Sequence, residues 1–539
     1  MSIAGRVVLA CAILSLRRAL AASALLGVAA LSSGCPPAQK SVQLSGQVSL
    51  TLIHTSDIHS RLFPYDFQIG TIDAQLGLGP ADTVQRIGGA AKISHIVGRE
   101  RARSERVLHL DGGDCFQGAP VFNFFAGEAE VKALSMMGTD AMIPANHEFD
   151  RGPINLVTQL ERWATFPILA ANYKLGDIRD PKDPGLGRVF TPWTAFNLGG
   201  LRVGVVGLGN LSTVSSLFEQ PNSLGITPLE TVEVAQFYVD LIRPYVDVVV
   251  LVTHLGLETD QHMIASTSGI DVVLGGHNHI VLQPPKAIDD CQGLEPDTGR
   301  HFISVLSGDP QAAGATPARV KRYCHPRRVI LAHSGAFARY VGRLDLVLSN
   351  TAGELPEGYD PVDGFEVLQS DYKLLPVTED VPEDPQIVEL LEPYKIGLGA
   401  LADLDLLVGY APAAVTRTAP SGGDSPLGNM VATAAWLRQG VQTDFAMTNT
   451  TGIRAAIPPG PITLETMYNV FPFDNSISKM QLSGVELQQL FDFVARRSSG
   501  RGCVSQVQIA GARVVVDCNA EVTNEDGSTS RGKASAIFI

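Results

Sequence analysis

Several things are scarce or missing in this 539-residue chain, and each absence removes a class of function. No Cys-x-x-Cys pair occurs, so a zinc finger or a thioredoxin-like redox site has no ligands to use. Positive charge is short: 41 Lys and Arg face 55 Asp and Glu, a formal net charge of −14. Such a surface does not draw in a nucleic-acid polymer or an acidic membrane. Beyond the N-terminal region no apolar run approaches the ~20 residues needed to span a bilayer. Internal repeats and low-complexity tracts are absent as well. The 45% apolar and 18% charged residues belong to a globular protein with sizeable cores, and the length suits two domains.

The N-terminus has its own character. Arg17 and Arg18 precede the small and apolar run ALAASALLGVAALSSG, which ends at Cys35. Basic and apolar regions in this order form an export signal. LSSGC resembles a lipobox, with Ser32 where Leu is usual, so residues 1–35 are expected to be a signal ending at a lipidated Cys35. Residues 36–47 would then tether the protein to the membrane of the cell envelope, facing the periplasm. Export permits disulfides. The expected pairs are Cys503–Cys518 and Cys291–Cys324, with Cys115 buried and unpaired.

From Val48 to about residue 350, short Val-, Ile- and Leu-rich runs alternate with amphipathic stretches. VSLTLIHTS, RVLHLDGG, DAMIPA, FPILAAN, LRVGVVGLG, VDVVVLVTH and GIDVVLGGH read as buried strands. GGAAKISHIVGRERAR and VEVAQFYVDLIRPY read as helices, and the alternation indicates an α/β domain. Residues 351–405 read as a polar linker followed by a connecting helix. A second α/β unit occupies 406–539.

Polar residues gather where the apolar strands end. Asp57 and His59 stand at i and i+2, facing one side of an extended chain. Asp114 follows Gly112 and Gly113. Asn146 and His147 follow DAMIPA, His254 follows VVVLVT, and His277 and His279 follow two glycines. One histidine at a strand end is ordinary packing. Two Asp, one Asn and four of these five His at one sheet edge suit a pair of borderline divalent cations such as Zn, Mn or Fe.

The order D-x-H, G-D, N-H-E, H, G-H-x-H resembles the calcineurin-like metallophosphoesterase superfamily. HTSDIHSRLFP, GGDCFQGAP, ANHEFDRG and VLGGHNHI narrow the resemblance to its 5′-nucleotidase family, and LGNM, NTTGIRAAIPPGPIT and VFPFDNSISKMQLSGVEL extend it into the second half. The resemblance implies a four-layer α-β-β-α sandwich followed by a substrate-recognition domain. It implies that Asp57, His59, Asp114 and His279 hold one cation, and that Asp114 bridges to a second held by Asn146, His254 and His277. His147, paired with Asp150, would face the phosphoryl group. Asn449, Arg454 and Arg417 would contact a nucleotide, and Phe473 would stack on its base.

The chain departs from the family pattern in three places. Ala145 replaces a Gly, Thr450 and Thr451 replace two more, and the chain stops at KASAIFI, short of a segment carrying a second stacking aromatic. The recognition domain is therefore expected to be incomplete. The resulting expectation is hydrolysis of phosphate esters, foremost nucleoside 5′-monophosphates. UDP-sugar hydrolysis, 2′,3′-cyclic nucleotide hydrolysis, thiosulfohydrolase chemistry and a non-catalytic envelope binding protein remain open alternatives.

Overall fold

The computed structural model describes residues 44–539 apart from 211–223, 311–317, 352–364, 420–421, 439, 441, 474 and 524–528. The expected signal with Cys35 and most of the tether lie outside the described residues. Among the described residues no helix is long and apolar enough to cross a membrane.

Two sheets stack face to face. One has seven strands, in the order Glu366–Pro376, Tyr340–Ser349, Gln47–Thr55, Val107–Asp111, Ala141–Met142, Ile168–Leu169, Phe190–Thr191. From Gln47–Thr55 onward its strands run parallel. The other has six, in the order Lys286–Asp289, Arg328–His333, Val272–Gly275, Val248–Thr253, Leu201–Leu208, Trp193–Leu198.

Side-chain alternation along each strand assigns the layers. Leu50, Leu52, Leu108 and Leu110 point between the sheets, where they meet Val203, Val205, Val248, Val250 and Val252. The intervening Val249, Leu251 and Val273 point outward, against the helices Thr231–Ile242 and Leu257–Ser266. On the opposite side Ile53 and Met142 face the helices Ala90–Ala102, Glu128–Met136 and Gly152–Trp163. Strands covered on both faces must be apolar throughout, which is why they read as continuous hydrophobic runs. The result is the α-β-β-α sandwich.

One segment differs from its sequence reading. Glu366–Pro376 lies within the expected linker, yet it is an eleven-residue edge strand antiparallel to Tyr340–Ser349. Its pattern explains both the fold and the misreading. Tyr372 and Leu374 alternate inward while Asp371 and Lys373 alternate outward, so polarity dilutes a genuine period of two. The following helix, Pro385–Leu401, buries Ile387, Leu391, Tyr394 and Leu398 in the outer core of the first sheet.

The second unit is built of smaller pieces. Helices Pro426–Trp436, Leu464–Val470 and Gly484–Ser499 stand among two-stranded pairs, the longest of which sets Arg513–Thr523 antiparallel to Thr529–Phe538. Ser483 and Glu486 close a reciprocal cap on the third helix, satisfying N–H groups that its first turn leaves open. The disulfides are Cys291–Cys324 and Cys503–Cys518, and Cys115 is free and buried.

Candidate metal centre

Three of the strand exits bend sharply to deliver their polar residues. Asp57, His59, Asp114, His277 and His279 all have positive φ, between 52° and 79°, a region that costs L-residues energy unless their surroundings hold them there. Main-chain bonds supply that hold. The Asp57 N–H donates to Gly113 O (2.8 Å) and the His59 N–H donates to Asp114 O (3.0 Å), locking two of the loops together.

The side chains form two clusters. Asp57, His59 and His279 make one, Asp114, His254 and His277 the other, with ligand-type atoms within 4.8 Å of one another in each. His59 Nε2 and His279 Nε2 face each other at 2.9 Å, and Asp114 Oδ2 lies 2.9 Å from His254 Nε2. Asp57 Oδ1 reaches toward both clusters, 3.4 Å from His279 Nε2 and 3.8 Å from His254 Nε2. Two of the other imidazole nitrogens are tied back: His59 Nδ1 to Gln117 O and His254 Nδ1 to Gly112 O, each at 2.7 Å. Such bonds fix a tautomer and leave Nε2 free for a cation.

Charge in the site suits cations. Burial, the largest single influence, would raise Asp57 and Asp114, but His254 together with His279 at Asp57 and with His147 at Asp114 outweighs it, and both carboxyls fall below the usual range. Burial, reinforced by His279 and Arg454, keeps His59 neutral. Burial and His254 lower His277 to about 4, and burial also lowers His279. Burial opposes charge on His254, yet Asp114 and Asp57 lift it to about 10. Two ionised carboxylates beside three neutral imidazoles are a donor set for divalent metal. Asn146 Oδ1 adds to the fit: it is buried and has no hydrogen-bond partner. A buried amide oxygen left open in this way is costly unless something else accepts its lone pair.

His147 stands beside the clusters. Its N–H donates to Asp114 Oδ1 (2.9 Å) and its Nδ1 bonds Asp150 Oδ2 (2.8 Å). Burial lowers its basicity, but Asp114 and Asp150 more than restore it, so it favours the protonated form. Glu148, its neighbour, accepts main-chain N–H bonds from Asp114, Cys115, Phe116 and Ala145 at 2.7–3.2 Å. One carboxylate thus joins the loop of Asp114 to that of Asn146.

Glycine is required at Gly276. A Cβ there would overlap Ser56 Oγ and stand 2.9 Å from both Asp57 Oδ2 and His254 Nδ1. Gly276→Ala is expected to reduce activity by on the order of a hundredfold, because displacements near 1 Å suffice for that. Turnover and bound metal, measured together, check this, and a wild-type rate would show that the loops have room to yield. The Ala145 substitution noted in the sequence is accommodated differently. Its Cβ packs against Gly113, where a side chain would come within 2.8 Å of it.

The second unit reaches the same place. Arg454 Nη2 is 3.4 Å from His59 Nε2, and its guanidinium lies 5.6 Å from the Phe473 ring centre. Phe473 in turn packs on His147, with centroids 5.7 Å apart. Arg417 donates to Ile453 O (3.0 Å), beside Arg454. Neither arginine forms an ion pair with a carboxylate among the described residues. Asn449 is exposed, and its amide donates to Thr451 Oγ1 (3.1 Å). Thr451 stands where the resemblance expects a glycine, so the substitution itself engages the amide. Sequence reasoning also missed Phe337, which stacks on His59 and meets His279 edge-on, at 5.1 and 4.8 Å. The only signal for Phe337 is one bulky residue in a small-residue loop after the strand Arg328–His333.

Comparison with known proteins agrees with this geometry. Residues 50–281 match the calcineurin-like phosphoesterase family and residues 406–530 match the 5′-nucleotidase C-terminal domain. The chain belongs to the 5′-nucleotidase family. It is 27% identical over 489 residues to snake venom 5′-nucleotidase of Crotalus adamanteus, covering 88% of this chain and 74% of that protein. A 5′-nucleotidase precursor from Thermus thermophilus superposes with a TM-score of 0.67 at 26% identity, covering 91% and 88% of the two chains. A sulfate thiohydrolase of the same genus shares the fold, with a TM-score of 0.62 at 18% identity, and covers the same shares. Family membership makes this chain a phosphoric ester hydrolase of the metallophosphoesterase type, whose members use divalent metals.

Proposed function

We propose that the protein hydrolyses nucleoside 5′-monophosphates to nucleoside and phosphate at a two-cation centre. Asp57, His59 and His279 would hold one ion, Asn146, His254 and His277 the other, with Asp114 shared. Two bound divalent cations supply Lewis-acid activation of water and offset the charge of the phosphoryl group. The chain's own residues do the rest. His147, oriented by Asp150, donates a hydrogen bond to a phosphoryl oxygen or a proton to the departing 5′-oxygen. Arg454 brings a fixed positive charge beside His59, where an anionic substrate must sit. Phe473 offers a flat face to the base.

The observation that carries the nucleotide reading is this meeting of Phe473 and Arg454 with His147 and His59 across two units of the chain. The named relatives, 5′-nucleotidases of venom and of Thermus, support it. Export with a lipid on Cys35, a catalytic unit starting near residue 48 and a recognition unit over 406–539 complete the proposal.

Phosphate release from 5′-AMP with added Mn²⁺, with and without chelator, is the test. Metal-dependent release is expected. Cleavage of an aryl phosphate without release from AMP would overturn the nucleotide reading, and inactivity on both would overturn the hydrolase.

A further inference from the structure

The loop carrying Phe473 is held by the catalytic unit through its backbone. Gln117 Nε2 donates to Pro472 O at 2.5 Å, and Asn123 Nδ2 donates to the same oxygen at 2.9 Å. One carbonyl accepts two bonds, so both of its lone pairs are used. Pro472 itself has no N–H to offer. A third tie lies one turn earlier, where Arg61 Nη1 donates to Asn469 Oδ1 at 2.7 Å.

Two of these donors come from the loops that carry the candidate ligands, and Asn123 comes from the helix Pro120–Phe125 just beyond. Arg61 follows His59 by two residues, and Gln117 follows Asp114 by three. Gln117 is 4% exposed and adopts φ +60°, and its own carbonyl accepts the bond from His59 Nδ1. Its main chain therefore orients a candidate metal ligand while its side chain grips the loop between Phe471 and Phe473. The distance from the reacting phosphate to the aromatic face is then set by two amides.

We infer that Gln117 and Asn123 are positioning residues that fix Phe473 at a set distance from His147 and so select substrates carrying a base over bare phosphate esters. The inference rests on the nucleotide reading above. It predicts a specific loss: without the amide donors the metal site still turns over small esters, but the advantage of a nucleotide shrinks.

The test compares the full-length, metal-loaded wild type with Gln117→Met/Asn123→Ala and with Phe473→Ala. The readouts are kcat/KM for 5′-AMP and for p-nitrophenyl phosphate, and amide hydrogen exchange over residues 464–473. Met preserves the volume of Gln117 and removes its donor. In the double variant the AMP-to-aryl-phosphate ratio is expected to fall about tenfold, the scale of two neutral hydrogen bonds, and mostly through KM. Exchange at Phe471 and Phe473 should rise with it. An unchanged ratio and unchanged exchange would overturn the inference while a lowered ratio in Phe473→Ala left the nucleotide reading standing. An equal fall for both substrates would assign Gln117 to the metal site through His59 and also overturn it. An unchanged ratio in Phe473→Ala would remove the nucleotide reading and the inference together. Should the double variant not fold, Asn123→Ala alone carries the same comparison with about a threefold expected effect.

Discussion

Replacing His147 by alanine is expected to lower kcat on 5′-AMP by about 10²–10⁴-fold, the range that a positioned acid or base contributes. The ring bonds Asp150 through Nδ1, while the residue's main-chain N–H holds Asp114. The alanine variant keeps that main-chain bond. Cation binding should therefore survive, and the loss should appear in kcat more than in metal content. Asp150→Asn should give a smaller loss of the same kind, since it disturbs orientation and leaves the imidazole in place. Titrating metal into both variants and measuring single-turnover rates separates the effects. A His147→Ala protein that turns over AMP within about threefold of wild type would remove His147 from the chemistry.

Glu148→Ala is expected to have the largest effect on stability. Four main-chain N–H groups from two loops converge on its carboxylate, and Glu148 is 1% exposed. Each buried donor left without an acceptor costs about 1–3 kcal/mol, and the loss here should total about 4 kcal/mol or more. Denaturant unfolding of the full chain measures it, with bound metal as a second readout, because the carboxylate joins the turns of Asp114 and Asn146. Glu148→Gln retains one oxygen acceptor but turns N–H₂ toward donors, and should fall between alanine and wild type. A midpoint unmoved by Glu148→Ala would mean that water replaces the carboxylate.

The fold is readable where burial forces a pattern. Strands such as Val248–Thr253, covered on both faces, have no choice but apolar residues. The polar residues at their exits stand out for the same reason, while their division between two cations comes from the family resemblance alone. Contacts between distant segments leave no such trace. Gln117 lies 355 residues from its acceptor at Pro472, and nothing in either segment marks the other. Glu148 looks like one more polar residue in ANHEFDRG, because its donors are main-chain groups, which every sequence has. The strand Glu366–Pro376 reads as linker since an edge strand needs apolar residues on one face only. The bond from the Asn449 amide to Thr451 Oγ1 leaves no trace in the motif either, since the resemblance expects glycine at position 451.

Five candidate ligands with positive φ have a consequence for anyone seeking a sturdier version of this protein. Left-handed backbone costs L-residues about 1–2 kcal/mol each. Over five positions that is on the order of 5–10 kcal/mol, similar to the whole net stability of a typical domain. Glycine at any of the five would relieve the backbone and erase a ligand. A thermostabilising screen scored on melting temperature alone would thus be drawn toward Asp57, His59, Asp114, His277 and His279, and would improve the scaffold by dismantling its centre.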